Sequence, residues 1–301
     1  MKKFSFIIFS LVIGTAIFLR PAAGSEKTLV CVSILPQKYF VESIGGGFVD
    51  VSVMVSPGAN PHDYEPTPAQ MKMLSASKIY FALGDPFEDA WLKKISATNQ
   101  NLKIIHTEDG ILKKPIDRHE SIALYDKKTE PISQPDHDHG IYDPHIWLSP
   151  PLVMLQARNI VAALEREMPD QREFFETNYQ RFINQLVELD ASLRLLFKDD
   201  ANKQFIIFHP SWGYFADAYN LKQIAIEIEG KEPKAKEIAQ LIQYAKAHGI
   251  SAIFVQPQFS TKQADSIAKE INAKLVPAND LAENWMENIK AVASSIKQAL
   301  R

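Results

Sequence analysis

The sequence contains a single cysteine, Cys31, so the chain cannot form an internal disulfide. This residue lies in the apolar run LVCVSIL, where we expect a buried thiol, and the large Val30 before it argues against lipid attachment. A basic excess is also missing: 33 Lys and Arg stand against 36 Asp and Glu, which argues against nucleic-acid binding. Neither His-Glu-x-x-His nor Gly-x-Ser-x-Gly occurs, so the sequence lacks two common hydrolase motifs.

Long apolar runs are missing too, except at the N-terminus. Lys2 and Lys3 precede the uncharged run 4–19, and the sequence AAG at 22–24 offers small residues to a signal peptidase. The run is shorter than the roughly 20 apolar residues that a spanning helix needs. We therefore predict a cleavable signal peptide at 1–24 and a mature protein in a bacterial periplasm. An uncleaved N-terminal anchor is the alternative.

The rest of the chain alternates between short apolar strands and amphipathic helices. Strands are predicted at 28–34, 51–55, 78–83, 204–208, 252–256 and 274–277. Helices are predicted at about 37–46, 68–76, 235–247, 261–272 and 283–300. This alternation is typical of parallel sheets covered by helices on both faces. It predicts an α/β protein with an N-terminal lobe at 25–168 and a C-terminal lobe at 200–301.

The region between the two lobes has a helical period. Phe175, Phe182, Leu189 and Leu196 recur every seven residues, and the chain contains no Gly or Pro from 170 to 199. We predict one linking helix at 169–199, which would extend about 45 Å at 1.5 Å per residue. The charged, proline-interrupted segment 106–142 is instead predicted to be an exposed loop.

Four candidate metal ligands are placed by these predicted elements. In open parallel sheets, ligands bind beyond the carboxyl ends of the strands. His62 and His209 follow the predicted strands 51–55 and 204–208, and Asp280 follows 274–277. His145 lies between the two lobes in the sequence. A histidine in such a position, taken alone, is more often a surface or hydrogen-bonded residue than a metal ligand.

The four residues are more informative as a set. Every one of the three histidines has a proline neighbour that restricts the backbone and lowers the entropy cost of holding a ligand. Three neutral imidazoles with one carboxylate suit zinc. The other histidines, His106, His119 and His248, have no such setting and are predicted to be ordinary surface or capping residues.

Three motifs resemble one known family. They are PHDYEPTP at 61–68, DPHIWL at 143–148 and FHPSWGYF at 208–215. Together they are similar to the zinc/manganese substrate-binding proteins of bacterial ABC importers, the ZnuA/TroA-like family, over essentially the whole mature chain. The resemblance implies two (β/α) lobes joined by one backbone helix, with metal bound in the cleft. It also implies that His62, His145 and His209 are ligands and that Asp280 matches a fourth, carboxylate position.

The resemblance also implies a function and partners. A monomeric periplasmic protein would capture Zn²⁺ and deliver it to a permease in the inner membrane, whose ATPase is cytoplasmic. Manganese relatives often place a glutamate where this chain has His209, so we expect zinc, and a manganese- or iron-binding member of the same family is the alternative. His137 and His139 resemble a very short form of the His-rich loop of zinc members, and a plain solvated loop is the alternative reading.

Two rival functions remain open at this stage. One is a zinc hydrolase with three histidines and a water, for which Glu65 or Glu227 would have to serve as general base. A filled four-ligand site leaves no position for a substrate, so we expect binding and no enzymatic activity. The other is an adhesin or metal-storage protein that uses the same fold.

Overall fold

The computed structural model describes residues 26–61, 64–115, 142–227 and 233–300. Within these ranges every helix is too short or too polar to span a bilayer. Cys31 is fully buried, and burial raises the pKa of its thiol to about 12, as expected for a core thiol. The predicted signal peptide and the residues His119, His137 and His139 lie outside the described residues.

The first lobe is built on a four-stranded parallel sheet in the order β2-β1-β3-β4. Its strands are β1 (Thr28–Val32), β2 (Val49–Val53), β3 (Ile79–Ala82) and β4 (Lys103–His106). Its helices are α1 (Leu35–Gly45), α2 (Pro68–Ala76), α3 (Pro86–Thr98) and α4 (Pro150–Glu167). Two of these helices begin with a capping side chain followed by proline. Thr67 Oγ1 accepts from the Gln70 amide at 3.3 Å, and Asp85 Oδ1 accepts from the Phe87 amide at 3.0 Å.

One long helix, α5 (Arg172–Phe197), connects the two sheets. It begins slightly later than predicted because a 3₁₀ turn at Pro169–Gln171 precedes it. Phe175, Phe182 and Leu189 are buried, as their seven-residue spacing predicts. The helix is 26 residues long, which corresponds to about 39 Å. It packs against α1 and α4, so the link between the lobes is stiff.

The second lobe repeats the same architecture, with strand order β6-β5-β7-β8, all parallel. Its strands are β5 (Gln204–Ile207), β6 (Lys222–Ala225), β7 (Ala252–Val255) and β8 (Lys274–Pro277). Its helices are α6 (Gly213–Ala218), α7 (Ala235–Ala247), α8 (Lys262–Ile271) and α9 (Trp285–Ala299). The predicted class, two parallel-sheet α/β lobes with a long connecting helix, is confirmed. The exact limits of the domains stay a prediction.

An aromatic cluster packs the last helix, α9, against the first lobe. The Trp285 ring lies 5.2 Å from Phe40 of α1 in an edge-on arrangement, and Phe40 in turn lies 6.0 Å from Phe182 of α5. Trp285 Nε1 donates to the Trp147 carbonyl at 2.7 Å. The two lobes are therefore held together by a buried apolar contact as well as by the connecting helix.

The segment after β4 differs in part from a simple exposed loop. His106 is the last residue of β4, and Thr107 is fully buried. Lys113 Nζ donates to the carbonyls of Leu83 and Gly84, both at 2.8 Å. This start of the predicted loop is therefore attached to the turn that follows β3.

Candidate metal site

Loops from both sheets line one small cavity. Asn60 and Asp85 come from the first sheet, and His209, Gln258 and Asp280 come from the second. Each of these residues follows the carboxyl end of a strand, as expected for ligand binding in parallel sheets. The cavity measures about 10 Å³, which is roughly the space of one water molecule.

Two imidazoles meet at this cavity. The Nε2 atoms of His145 and His209 lie 3.2 Å apart, and both residues are buried. Two nitrogens bound to a tetrahedral zinc at about 2.05 Å each would be about 3.35 Å apart. The two rings therefore already stand at nearly the spacing that a shared zinc ion requires.

A carboxylate fixes the far nitrogen of each ring. His145 Nδ1 lies 2.6 Å from Asp143 Oδ1, and His209 Nδ1 lies 2.8 Å from Glu227 Oε2. A carboxylate only accepts, so each Nδ1 carries the proton and each Nε2 presents its lone pair when the ring is neutral. Two lone pairs that face each other at this distance repel, and either a shared proton or a metal ion between them relieves the repulsion.

The charge around His145 is strongly negative. Burial alone would lower the pKa of its imidazole, but the charge and hydrogen bond of Asp143 outweigh burial, and Asp280 and Asp85 add to the effect. The net result is a pKa above the ordinary histidine value. The cavity is therefore an environment that favours positive charge.

Aromatic rings hold both imidazoles in place. Phe259 stacks on His209 with ring centroids 4.7 Å apart, and Trp147 lies 5.1 Å from His145. Trp147 Nε1 also donates to the backbone carbonyl of Asp280 at 2.7 Å. Because these contacts restrict the rings before any ligand arrives, little conformational entropy is left to lose on binding.

The carboxylate of Asp280 lies at the wall of the same cavity. The residue is buried three positions after β8, and its Oδ1 accepts a hydrogen bond from Gln258 Nε2 at 2.8 Å. Counting only described residues, no three His, Cys, Asp or Glu side chains close around one point. The structure thus brings together His145 and His209, with Asp280 beside them. His62 lies outside the described residues, directly after Pro61, which lines the cavity.

The remaining candidates are placed elsewhere or in other roles. His106 pairs with Glu108, and His248 contacts the Tyr244 carbonyl, so both are ordinary surface residues as predicted. Glu65 is exposed. Glu227, considered as a general base, instead engages the far nitrogen of His209 and orients that ring.

Sequence reasoning missed the supporting residues of the site. Asp143 was available as a signal, because it stands two residues before His145 and also accepts from the His145 amide at 2.9 Å. The role of Glu227 was hidden because β6, the strand before it, was not predicted. Gln258 and Phe259 follow β7, but neither is a typical metal ligand, so the search for ligands did not select them.

Loss of either supporting carboxylate is expected to weaken zinc binding without removing it. Asp143→Asn and Glu227→Gln each keep the side-chain shape but no longer fix the Nδ1 proton, and such changes typically cost about 10- to 100-fold in metal affinity. Calorimetric titration with zinc measures this. Glu65→Gln, at an exposed carboxylate, is the matched control and should bind as the wild type does. Unchanged affinity in both supporting variants would contradict the orienting role.

Comparisons with known proteins identify the family of the chain. The family model described as "Zinc-uptake complex component A periplasmic" matches residues 30–299. Zinc-binding protein AdcA of Streptococcus pyogenes serotype M3 is 33% identical over 273 residues, which are 87% of this chain and 52% of AdcA. The chain therefore spans about half the length of that relative.

Two further similarities cover most of both chains. High-affinity zinc uptake system protein ZnuA of Bacillus subtilis is 30% identical over 258 residues, 85% of this chain and 79% of that protein. The crystal structure of a ZnuA deletion mutant with zinc bound is 41% identical, with a TM-score of 0.81 over 91% of this chain and 98% of that chain. The chain belongs to the ZnuA family of periplasmic zinc-uptake components.

Proposed function

We propose that this protein is a zinc-binding solute-binding protein that captures the ion and delivers it to an ABC importer. The observation that carries the proposal is the buried pair of imidazoles, whose Nε2 atoms face each other 3.2 Å apart between the lobes. The relatives AdcA and ZnuA are named for zinc, and the similar ZnuA structure holds zinc, which supports the same proposal.

The proposed ligands are His62, His145, His209 and Asp280. His145 and His209 provide borderline-soft nitrogen donors, and three such donors favour zinc over manganese or iron, which prefer more oxygen. Asp280 supplies one oxygen donor from the cavity wall. Pro61, the residue before His62 in the sequence, lines the cavity, and this supports the choice of His62 as the third imidazole ligand.

The mechanism we propose is capture followed by forced release. The stiff helix α5 and the Trp285 contact limit the lobes to a small tilt, so the ion enters through a local rearrangement of the loops. Release then needs a partner that distorts the cavity. A permease in the inner membrane, driven by a cytoplasmic ATPase, would supply that distortion to a monomeric periplasmic protein.

The geometry favours binding over hydrolysis. A zinc hydrolase needs a general base within reach of a metal-bound water. Glu227 is committed to His209 Nδ1, on the side of the ring away from the cavity, and Glu65 is exposed. The cavity of about 10 Å³ also leaves no room for a substrate beside the ion, so we infer that the protein is not an enzyme.

Metal removal provides the direct test. Protein purified without added metal is expected to contain zinc and to prefer zinc over manganese in competition. Ligand binding to the folded state alone stabilises it by about 2.7 kcal/mol at a free zinc concentration 100 times the Kd. Thermal unfolding should therefore occur at a lower temperature after chelation and recover when zinc is restored. A protein whose unfolding temperature is the same with and without zinc would contradict the proposed function.

A further inference from the structure

A second carboxylate, Asp85, reaches the same cavity from the first lobe. It follows β3 by three residues and precedes α3, and it is only 1% exposed. It lines the cavity together with His145 and His209. None of the motifs recognised in the sequence includes this residue.

The two oxygens of Asp85 have different surroundings. Oδ1 accepts from the Phe87 amide at 3.0 Å and so caps α3. Oδ2 is buried and has no hydrogen-bond partner among the residues that the structure describes. Capping alone does not account for Oδ2, because Ser or Asn would cap the helix equally well without placing a buried charge beside the cavity.

The side-chain amide oxygen of Gln258, a neutral acceptor in the cavity wall, also needs a hydrogen-bond donor. Gln258 Nε2 donates to Asp280, while its Oε1 is buried and lacks a hydrogen-bond partner within the described part of the chain. Gln258 and Asp85 line the same cavity. Two acceptors without donors, beside two imidazole nitrogens, call for an occupant that brings positive charge and protons. A divalent cation that keeps one bound water provides both.

We propose that Asp85 is a further positioning and specificity-determining residue of this cavity, whose Oδ2 accepts a hydrogen bond from a water bound to the captured divalent cation. This inference rests on the proposed function. Asp143 and Glu227 are each engaged by an imidazole, whereas Asp85 and Asp280 face the cavity. The two negative charges of Asp85 and Asp280 match the charge of one divalent ion, and a buried ion needs such pairing.

The experiment compares two variants that keep the helix cap. Asp85→Asn and Asp85→Ser retain an acceptor for the Phe87 amide but remove the charged oxygen. We expect zinc to bind about tenfold more weakly in both, with an unfolding temperature of the metal-free protein no lower than that of the wild type, because the buried charge is removed. The absorption spectrum of the Co²⁺-loaded protein should also change, because the bound water loses its partner. Asp265→Asn, at a partly exposed carboxylate on α8, is the charge-matched control and should bind as the wild type does.

The outcomes separate this inference from the proposed function. Wild-type zinc affinity and an unchanged Co²⁺ spectrum in both Asp85 variants would overturn the inference and leave the proposed function standing. An affinity loss accompanied by an equal loss of metal-free stability in both variants would assign Asp85 to capping alone, which also overturns it. Wild-type protein that binds no zinc would overturn the proposed function, and this inference with it.

Discussion

Replacement of His209 by alanine is expected to weaken zinc binding by two to three orders of magnitude while the protein stays folded. Binding free energies of structural four-ligand zinc sites are about 10–16 kcal/mol, so one ligand accounts for about 2.5–4 kcal/mol. The variant also removes the partner of Glu227 and leaves a buried carboxylate without its hydrogen bond. Calorimetric titration measures the affinity, and circular dichroism checks the fold.

The same loss is expected for His145→Ala and for His62→Ala, and a smaller one for Asp280→Ala, because water can replace an oxygen donor. His248→Ala is the matched control, since His248 is exposed and contacts the Tyr244 carbonyl and ring away from the cavity. Its affinity should equal that of the wild type. Any of the four candidate ligands whose replacement leaves the affinity unchanged does not bind the ion.

The class of fold could be predicted because most strands are recognisable as short apolar runs in the sequence. β1 and β7 are central in their sheets, are covered on both faces, and read as unbroken apolar runs. β4 and β6 escaped prediction because each has only two or three apolar residues between polar ones. Edge position alone does not explain this, because the edge strands β2 and β8 were predicted.

Part of the candidate site could be predicted, because residues just after strands or beside prolines were selected as candidate ligands. His145, His209 and Asp280 were identified in this way. The partner of His209 was not, because Glu227 follows the neighbouring strand β6, and sheet order decides which strand ends are adjacent. The direction of a side chain after a loop likewise has no pattern in the sequence, which is why Asp85 and Gln258 emerge only from the structure.

Trp285→Ala is expected to lower the free energy of unfolding by about 4 kcal/mol, because replacing a buried Trp by Ala typically costs about 3–5 kcal/mol. The ring is 1% exposed and packs against Tyr39 and Phe40 of the first lobe. Urea unfolding of the metal-free protein measures the loss. Trp91→Ala is the control: this ring is only partly buried and carries a contact from Lys94, so its loss should be clearly smaller. Equal losses in the two variants would contradict a special role for the contact between the lobes.

The Trp285 variant also tests how the packing between the lobes reaches the cavity. Trp285 Nε1 donates to the Trp147 carbonyl, and Trp147 Nε1 donates to the Asp280 carbonyl. Removal of the first donor frees the segment that carries His145, so zinc affinity should fall along with stability although Trp285 does not line the cavity. Trp285→Phe keeps most of the packing and lacks only the donor. If it binds zinc as tightly as the wild type, the ring contact rather than this pair of hydrogen bonds positions the site.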